Sequence, residues 1–396
     1  MAQDKNFFID LHCEQNNHVG ELICGDVYAS KFDKETKRWI VVLSDGMGHG
    51  VKANILATLT TSMALNFTLE HREIEKAANI IMNTLPVCSE RKISYSTFSI
   101  IEISDEGNVS IAEYDNPECF VMRGTKLYNL PWNKLKLKKG ANKNKVIRIT
   151  RFKAQKEDRI FFLSDGIVQA GMGTKEFPFG WQRENLIHYV QEVIIREPHV
   201  SSIKLAKKIV RKANILDNEK PKDDTSCGVI YFREPRPILL ITGPPFNKED
   251  DNLFIKKIVS FKGKKIIAGG TTAELIAKKL NLELKPGLFP TDHELPPPSH
   301  LQGFDLVTEG ILTLGKVASI LDKFSPDTKL TSGPAHAIVK LLLNSDFIHI
   351  LCGTSINEAH QDPSLPVELE IRRTVIKRIA KLLEEKFLRQ VFLEFI

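Results

Sequence analysis

The sequence predicts two domains of different fold class, an α+β sandwich over residues 1–232 and a smaller α/β domain over residues 238–396. In the first part, runs of short strands rich in β-branched and aromatic residues alternate with pairs of helices, an order typical of antiparallel sheets covered by helices. After residue 237, single strands and single helices alternate, which predicts a parallel sheet. The segment REPRP at 233–237 separates the two patterns and is the predicted linker.

The first domain is predicted to begin with three strands, in FFIDLHCEQ, ELICGDVYASKF and RWIVVLSD. Two helices follow, and the first carries four apolar residues spaced four apart, which places them on one helix face. These residues are Ile55, Leu59, Met63 and Phe67. Six short strands come next, from STFSIIEIS to DRIFFLSD. Two more helices, near residues 183–196 and 202–214, precede a last strand in TSCGVIYF.

The second domain repeats one design four times, an apolar strand that ends in Gly, Thr or Ser. The four segments are ILLITGPP, KIIAGGTTAE, FDLVTEG and IHILCGTSI. Strand ends of this kind share one edge of a parallel sheet, and ligands bind at that edge in open α/β folds. The design therefore predicts a ligand site at the carboxyl edge of the second sheet.

Among these four strand ends, the segment GGTTAELIAKKL is the best candidate for a ligand site, because a predicted helix begins there with two glycines and two hydroxyl residues. Amides and the helix dipole at such a start favour an anion, so a small anionic ligand is predicted on Gly269, Gly270, Thr271 and Thr272. Residues expected nearby are Thr308, Glu309, Thr354 and Ser355, with the Pro-rich loop 285–300 as a possible cover and an acidic and His-containing segment at 355–362. The segment has neither the P-loop lysine nor a GxGxxG motif. The alternative is that Gly and Thr at these positions only end a strand and begin a helix, without binding a ligand.

Composition is that of a soluble globular protein, with 42% hydrophobic and 26% charged residues in a chain of 396. No apolar run reaches the roughly 18–20 residues that span a bilayer, and the first residues lack the layout of a signal peptide. The six cysteines are scattered, with no CxxC pair. Reduced thiols in a cytoplasmic protein with no membrane contact are therefore expected.

The formal net charge is +6, and much of the basic excess lies in residues 134–156. A nucleic-acid patch is one interpretation of this segment, and a solvated hairpin is the other. Aromatic residues, on which single-strand binders stack bases, are nearly absent from it. Nucleic-acid binding is therefore not favoured.

Acidic residues follow or precede buried strands at four places in the first domain. They are Asp26 in ICGD, Asp45 in VLSDG, Asp165 in FLSDG, and Asp223 and Asp224 in KPKDDTS. A carboxylate at a buried strand end is costly unless something compensates it, and a following Gly lets the backbone approach another group. One such Asp could be a turn or a helix cap. Four such places predict carboxylates that converge at one end of the sandwich around a cation.

The expected ligands are all oxygens, which favours Mg²⁺ or Mn²⁺ over zinc. Four or five carboxylates are too many for a single Mg²⁺, so two ions that share an Asp are predicted, roughly 3.5–4 Å apart. Such a pair clamps a phosphoryl group and activates a water molecule. The predicted reaction is hydrolysis of a phosphoester without a protein nucleophile.

The segments GD, SDGMGHG, SDG and DDTS, in this order, resemble the metal-dependent Ser/Thr protein phosphatases, and more closely the branch typified by the stage II sporulation protein E phosphatase domain. The resemblance covers about residues 19–232 and implies an αββα sandwich with two Mn²⁺ or Mg²⁺ ions at one end. It implies metal ligands at Asp26, Asp45, Gly46, Asp165, Asp223 and Asp224. The first two would flank the bridging position, Gly46 would give its carbonyl, and Asp224 is the alternative to Asp223. The catalytic residues are then Asp26, Asp45, Asp165 and Asp223.

Other positions are less determined by the resemblance. His49 is expected to contact water or phosphate, or else to be a helix-start residue. Where many relatives carry an Asn-Ala-Gly-His turn, this chain has YDNPECF at 114–120, so its substrate-facing surface is expected to differ. The resemblance implies a phosphoprotein substrate of the anti-sigma-factor antagonist type.

The C-terminal domain is predicted to regulate the phosphatase. The alternative function is a ligand-binding regulatory protein whose phosphatase-like half is a scaffold. An aspartyl-phosphatase is disfavoured because no Asp-x-Asp nucleophile motif is present near the N-terminus. A homodimer is a further possibility, through an apolar stripe on the last long helix, and packing of that stripe onto its own sheet is the alternative. The stripe consists of Val367, Ile371, Ile376 and Ile379.

Overall fold

The computed structural model describes residues 7–70, 73–84, 96–137, 142–287, 295–325, 328–355, 365–387 and 389–396, without the side chains of 365–370. The chain divides into two compact units, Met1–Glu234 and Pro235–Ile396. This division falls inside the segment 233–237. None of the described helices combines the length and the apolar character that crossing a membrane requires.

The first unit contains two antiparallel sheets. One has the strand order β2-β3-β4-β5-β9-β8 and the other β1-β11-β10-β6-β7. The strands are β1 (Phe8–Asn16), β2 (Asp26–Asp33), β3 (Arg38–Asp45), β4 (Phe98–Ser104), β5 (Asn108–Tyr114), β6 (Phe120–Arg123), β7 (Lys126–Tyr128), β8 (Asn133–Lys136), β9 (Val146–Lys153), β10 (Asp158–Leu163) and β11 (Thr225–Arg233). The helices are α1 (Gly50–Glu70), α2 (Ile74–Thr84), α3 (Asp165–Gln169), α4 (Gln182–Arg196) and α5 (Ser202–Leu216).

The two sheets pack face to face, and helices cover their outer faces. Val41 and Leu43 of β3 lie in a core shared with Phe162 of β10 and Ile230 of β11, between the sheets. Because successive strand residues point to opposite faces, Ile40 and Val42 lie instead in a core with α1 and α2. A third core joins the other sheet to α3, α4 and α5. The predicted α+β sandwich with αββα layers is confirmed.

Helix α1 approaches its sheet through small side chains. Its buried residues are Gly50, Ala53, Ala57, Thr60, Thr61, Ala64 and Thr68. The predicted helix is present, but the large apolar residues at its start point outward, with Ile55 61% and Leu59 49% exposed. Small residues on the inner face allow the close contact with β2 and β3 that the site requires.

The basic segment 134–156 forms an antiparallel hairpin of β8 and β9, whose tip at 138–141 lies outside the described residues. Part of its charge is neutralised by acidic neighbours within the unit. Arg148 lies 3.2 Å from Glu113, and Lys156 lies 2.8 Å from Glu234. The segment therefore forms the predicted hairpin, and part of its basic charge is paired within the unit.

The second unit is built on five parallel strands in the order β14-β13-β12-β15-β16. The strands are β12 (Pro237–Thr242), β13 (Lys264–Ala268), β14 (Leu306–Thr308), β15 (Phe347–Cys352) and β16 (Gln390–Phe395). The helices are α6 (Asp251–Ser260), preceded by a 3-10 turn at Lys248–Asp250, α7 (Gly270–Leu280), α8 (Ile311–Lys323), α9 (Pro334–Leu343) and α10 (Leu365–Glu385). The predicted α/β domain with a parallel sheet is confirmed, whereas β16 was not predicted.

Helices cover both faces of this sheet, α6 and α7 on one and α8, α9 and α10 on the other. Ile376 and Ile379 of α10 are fully buried in the second of these cores. The stripe on α10 therefore packs within its own unit at these two positions, while Ile371 is 43% exposed. The side chain of Val367 and the residues 356–362 lie outside the described part of the chain.

Candidate metal centre

The strand ends of both sheets bring the predicted aspartates together. Asp26 begins β2 and Asp45 ends β3, and the two are direct partners in the antiparallel register. In the other sheet, Asp165 follows β10 while Asp223 and Asp224 precede its antiparallel partner β11. The two groups meet, because Ser226 of β11 donates a 2.6 Å hydrogen bond to Oδ2 of Asp26.

The glycine of each Ser-Asp-Gly segment permits a backbone approach that no side chain would allow. A Cβ at Gly46 would lie 2.0 Å from the carbonyl oxygen of Ala53 in the first turn of α1. A Cβ at Gly166 would lie 2.2 Å from the carbonyl oxygen of Asp224. Both distances are far below van der Waals contact. These glycines therefore let the aspartates beside them lie against the neighbouring elements.

Three of the five carboxylates share one arrangement, in which one oxygen is held by a hydrogen bond and the other has no partner. The held oxygens accept from Ser226 (to Asp26), from Gln169 Nε2 at 2.7 Å (to Asp165), and from the His18 backbone N–H at 2.9 Å (to Asp224). The second oxygens, Oδ1 of Asp26, Oδ1 of Asp165 and Oδ2 of Asp224, are buried without a hydrogen-bond partner among the described residues.

Unpartnered buried oxygens of carboxylates are unfavourable unless a cation or a proton is bound. Oxygen-only donors suit Mg²⁺ or Mn²⁺. The donor set therefore fits the predicted divalent ions. The acidic side chains that would hold these ions are those of Asp26, Asp45, Asp165, Asp223 and Asp224. Gly46 lies directly after Asp45, with its carbonyl in the same turn.

The mutual proximity of the carboxylates changes their acidity. Burial, reinforced by the charges of Asp26 and Asp165, raises the pKa of Asp45 to about 10. Burial also raises the pKa of Asp26 to about 7, although hydrogen bonds from Ser226 and Ser164 oppose the shift. The pKa of Asp223 rises to about 6 through burial and the charge of Asp165. Without cations the cluster therefore retains protons near neutral pH.

Two histidines and a glutamate lie beside the aspartates. The rings of His18 and His49 are stacked with centroids 4.2 Å apart, and His49 Nδ1 lies 2.7 Å from Glu21 Oε1. One ligand atom from each of the three residues lies within 4.8 Å of the others, a spacing that could hold a further cation. His49 directly precedes α1, as one reading of the sequence expected, and its side chain is half exposed. The sequence carries no spacing that would have linked His18 and Glu21 to it.

Asp115 is a further acidic residue near the cluster that sequence reasoning missed. It lies in the turn 114–120 with a left-handed φ of 62°, and its charge contributes to the raised pKa of Asp165. The turn is fixed by Asn116, which donates to Ser99 at 3.0 Å, and by the Cys119 backbone N–H, which donates to Glu113 at 2.9 Å. No motif in the sequence marks this Asp, because the path of its turn depends on these tertiary contacts.

The structure places the predicted anion residues of the second unit at the start of α7. Gly269 is the residue before the helix, and Gly270, Thr271 and Thr272 form its first turn. Thr308 and Glu309 lie at the end of the adjacent strand β14. Thr354 and Ser355 do not join them, because β12 separates β15 from β13 and their backbone N–H groups donate to Ile396 and Pro244.

The αββα sandwich with its carboxylates gathered at one rim has the layout expected of a metal-dependent phosphoprotein phosphatase, and the family comparison supports this class. The sequence profile of stage II sporulation protein E (SpoIIE) matches residues 35–233, half of the 396-residue chain. The chain belongs to this family. Asp26 lies before the matched range, so its place in the site depends on its register with Asp45 and on its hydrogen bond from Ser226.

Solved structures with a similar fold include the phosphatase domain of the cell fate determinant SpoIIE from Bacillus subtilis. That similarity has 14% identity and a TM-score of 0.44, over 58% of this chain and 94% of the other. A longer fragment of the same protein, with part of its regulatory domain, has 16% identity and a TM-score of 0.47, over 58% of this chain and 64% of the other. RsbX in complex with magnesium has 16% identity and a TM-score of 0.40, over 57% and 95%. A search of curated proteins found no match.

Proposed function

We propose that this phosphatase depends on two Mn²⁺ or Mg²⁺ ions and hydrolyses phosphoserine or phosphothreonine in a protein substrate by attack of water. The observation that carries the proposal is the set of three buried carboxylates that each keep one oxygen without a hydrogen-bond partner among the described residues. When bound, the ions would neutralise the phosphoryl oxygens and make a water molecule a better nucleophile.

The residues of the chain orient the ligand oxygens. Ser226 and Gln169 each hold one oxygen of an aspartate, so that the second oxygen has a fixed direction. Asp223 holds the backbone N–H of Asp224 at 2.8 Å, which fixes the turn before β11. Such pre-organisation reduces the entropy lost when ions and substrate bind. We assign the ligand roles to Asp26, Asp45, Asp165 and Asp223 with the Gly46 carbonyl, and retain Asp224 as the alternative to Asp223.

Water is the proposed nucleophile because the protein groups beside the cluster are engaged or protonated. Ser164 Oγ accepts from the Ser226 backbone N–H at 2.9 Å, and Ser44 Oγ donates to the Thr97 carbonyl at 2.7 Å. Burial and the charges of Asp26 and Asp224 raise the pKa of the Cys24 thiol. A thiolate nucleophile is therefore disfavoured at this position.

We further propose a regulatory phosphoprotein of the anti-sigma-factor antagonist type as the substrate, and a cytoplasmic location. Family membership supports the substrate class. The location is supported by the cysteines of the described residues, Cys13, Cys24, Cys119, Cys227 and Cys352, which are all free of disulfides. Phosphate release from purified phosphorylated antagonist proteins, against unrelated phosphoproteins as controls, tests the substrate class.

Turnover of p-nitrophenyl phosphate with Mn²⁺, and with EDTA, tests the metal-dependent mechanism. We expect hydrolysis only with the metal, and a loss of at least about 100-fold in Asp45→Ala. Asp105→Asn is the matched control, because Asp105 lies past the end of β4, at the opposite end of the same sheet from Asp45. Equal turnover of native chain and Asp45→Ala would place the chemistry elsewhere. No turnover in the native chain would favour the alternative of a regulatory protein with a scaffold domain.

A further inference from the structure

A cavity of about 290 Å³ lies in the second unit, beside the start of α7. This volume is just below the range of about 300–1,000 Å³ for small-molecule sites. Its walls are mainly apolar, from Ala273, Leu284, Pro286, Pro296, Pro297 and Val307. Its polar groups are concentrated at Gly270, Thr308 and Glu309, with Ser299 in the wall. The cavity therefore has one apolar side and one polar end.

The polar end contains backbone amides without a side-chain cap. The first helical hydrogen bond of α7 runs from the Ala273 N–H to the Gly269 carbonyl at 3.0 Å. The backbone N–H groups of residues 270–272, in the first turn, lie before this bond. The residue before the helix is Gly269, which has no side chain to cap these N–H groups. Amides in this position, together with the helix dipole, bind phosphate groups.

Thr272 provides a second and independent indication of a ligand. Its side chain is fully buried, and its Oγ1 has no hydrogen-bond partner within the described part of the chain. This oxygen points back at the first turn, because a Cβ at Gly269 would lie 3.0 Å from it. A buried hydroxyl without a partner is costly. Thr272 is not in the cavity wall, so a ligand group would have to reach the first-turn amides to supply the missing partner.

Glu309 restricts which anion this site accepts. Its Oε2 accepts from the Gly310 N–H at 3.2 Å, and its Oε1 lies 3.6 Å from the position of a Cβ at Gly270. A negative charge so close to the first turn weakens the binding of any phosphate group, so a ligand that also offers hydroxyl donors to this carboxylate is favoured over inorganic phosphate. The same carboxylate accepts hydrogen bonds from hydroxyl groups, as an acid at the end of the next strand does for ribose in dinucleotide folds.

We propose that residues 235–396 bind a phosphate ester that carries hydroxyl groups, with a nucleoside monophosphate as the preferred form. The phosphate lies at Gly270–Thr272, the sugar hydroxyls donate to Glu309, and the base packs against Pro296 and Pro297. The proline walls favour a flat ring over a bare sugar phosphate. The site is lined by residues of the second unit only, and the proposal does not depend on the phosphatase mechanism.

Isothermal titration of the full chain in EDTA tests the proposal. The probes are AMP, GMP, CMP, UMP, ribose 5-phosphate and inorganic phosphate. We expect one ligand per chain for at least one nucleotide, at an affinity at least 10-fold above that of inorganic phosphate. Ribose 5-phosphate should bind between the two. Binding of ribose 5-phosphate alone would overturn the nucleotide assignment, and no binding of any ester would overturn the site.

Gly270→Ala localises the binding. A Cβ at this position meets only Glu309 Oε1, at 3.6 Å, so the fold tolerates the methyl group while the phosphate position loses space. We expect at least a 10-fold loss of nucleotide affinity. Gly315→Ala is the matched control, because a Cβ there has nothing within 4 Å. Equal affinity in both variants would contradict the proposal.

Glu309→Gln tests the discrimination between ligands. Loss of the negative charge should raise the affinity for inorganic phosphate and lower that for the nucleotide, which narrows the ratio between them by at least 5-fold. A structural role for Glu309 would move both affinities in the same direction. An unchanged ratio would show that Glu309 does not contact the ligand.

Discussion

Three of the five aspartates share an arrangement that would let the proposed metal site be pre-formed before ions bind. A hydrogen bond to one oxygen fixes the carboxylate without using the second oxygen, as Ser226 does for Asp26. The cost of the remaining buried oxygen is met by protonation when cations are absent, because the pKa values of Asp26 and Asp45 are raised. Cation binding must therefore release protons.

Asp45→Asn separates metal binding from folding. Asp45 has a pKa of about 10 without cations, so at pH 7.5 it is protonated and Asn is a close replacement. We expect the melting temperature in EDTA to stay within about 3 °C of the native value, a change of less than about 1 kcal/mol. The rise in melting temperature on adding Mn²⁺ should be reduced by at least half. Asp105→Asn should keep the full rise, and a large destabilisation of Asp45→Asn in EDTA would contradict the expected protonation.

Asp26→Asn reveals the pH dependence of the metal-free chain. The pKa of Asp26 is about 7 in the folded chain, against about 3.9 when unfolded. The folded state therefore binds more protons, and the stabilisation present below about pH 4 is lost as pH rises through 7. In EDTA between pH 5 and 8, the native chain should lose more than about 1 kcal/mol relative to Asp26→Asn. Urea unfolding of both chains at each pH measures this difference. If the unfolding free energies of the native chain and of Asp26→Asn changed equally with pH, Asp26 would be ionised in the folded chain from pH 5 to 8, against the expectation.

The acidic residues proposed as ligands could be located from the sequence because each one lies at one end of a recognisable strand. Asp45 and Asp165 are also marked by a following glycine, which permits the close backbone contact seen at both positions. Asp115, His18 and Glu21 could not be predicted, because they lie in irregular segments whose path depends on tertiary contacts. His18, for example, is placed by its backbone bond to Asp224, a residue far away in sequence.

At the level of elements, the Ser-Asp-Gly turns determine how closely helix and strand approach. Gly166→Ala would place a methyl group 2.2 Å from the Asp224 carbonyl oxygen, so the turn before β11 must move. We expect a loss of about 2–3 kcal/mol in unfolding free energy, and weaker Mn²⁺ binding because Asp165 and Asp224 separate. Chemical denaturation and Mn²⁺ titration measure the two effects. Gly315→Ala, in open space, should show neither, and a tolerant Gly166→Ala would mean that the turn is not constrained.

Helix α1 shows the limit of periodicity as evidence. The spacing of Ile55 and Leu59 correctly predicts a helix, but the buried side is the one with alanines and threonines. Hydrophobic size alone does not reveal that the sheet requires a close approach at Gly46 and Ala53. Strand β16 was not predicted, although its residues alternate between half-buried and exposed positions, the pattern typical of an edge strand.

At the scale of the whole molecule, we expect the two units to be coupled through ligand binding. A nucleotide that binds the second unit should change Mn²⁺ affinity by about 5-fold or more, which corresponds to about 1 kcal/mol. Linkage requires that Mn²⁺ changes nucleotide affinity by the same factor. Titrations of each ligand with and without the other measure both factors. Equal affinities in all four titrations would contradict the regulatory role of residues 235–396.

The order of motifs along the chain was sufficient to predict the fold class of the first unit, since four short segments mark four strand ends of one sandwich. The second unit was less predictable. Its alternation of strands and helices predicts the parallel sheet, but the meeting of Glu309 with Gly270 depends on the pairing of β13 with β14. The sequence therefore located Gly269–Thr272 at a helix start next to Glu309, whereas Thr354 and Ser355 follow a strand on the other side of β12, and anion binding stays a prediction.

The stoichiometry of Mn²⁺ binding tests most directly whether cations hold the acidic strand ends together. Equilibrium dialysis of the full chain at pH 7.5 should give two tightly bound ions per native chain. Asp165→Asn should lose at least one of them, while Asp105→Asn should retain both. Absence of bound Mn²⁺ in the native chain, or two ions in Asp165→Asn at unchanged affinity, would contradict the metal centre described for this phosphatase.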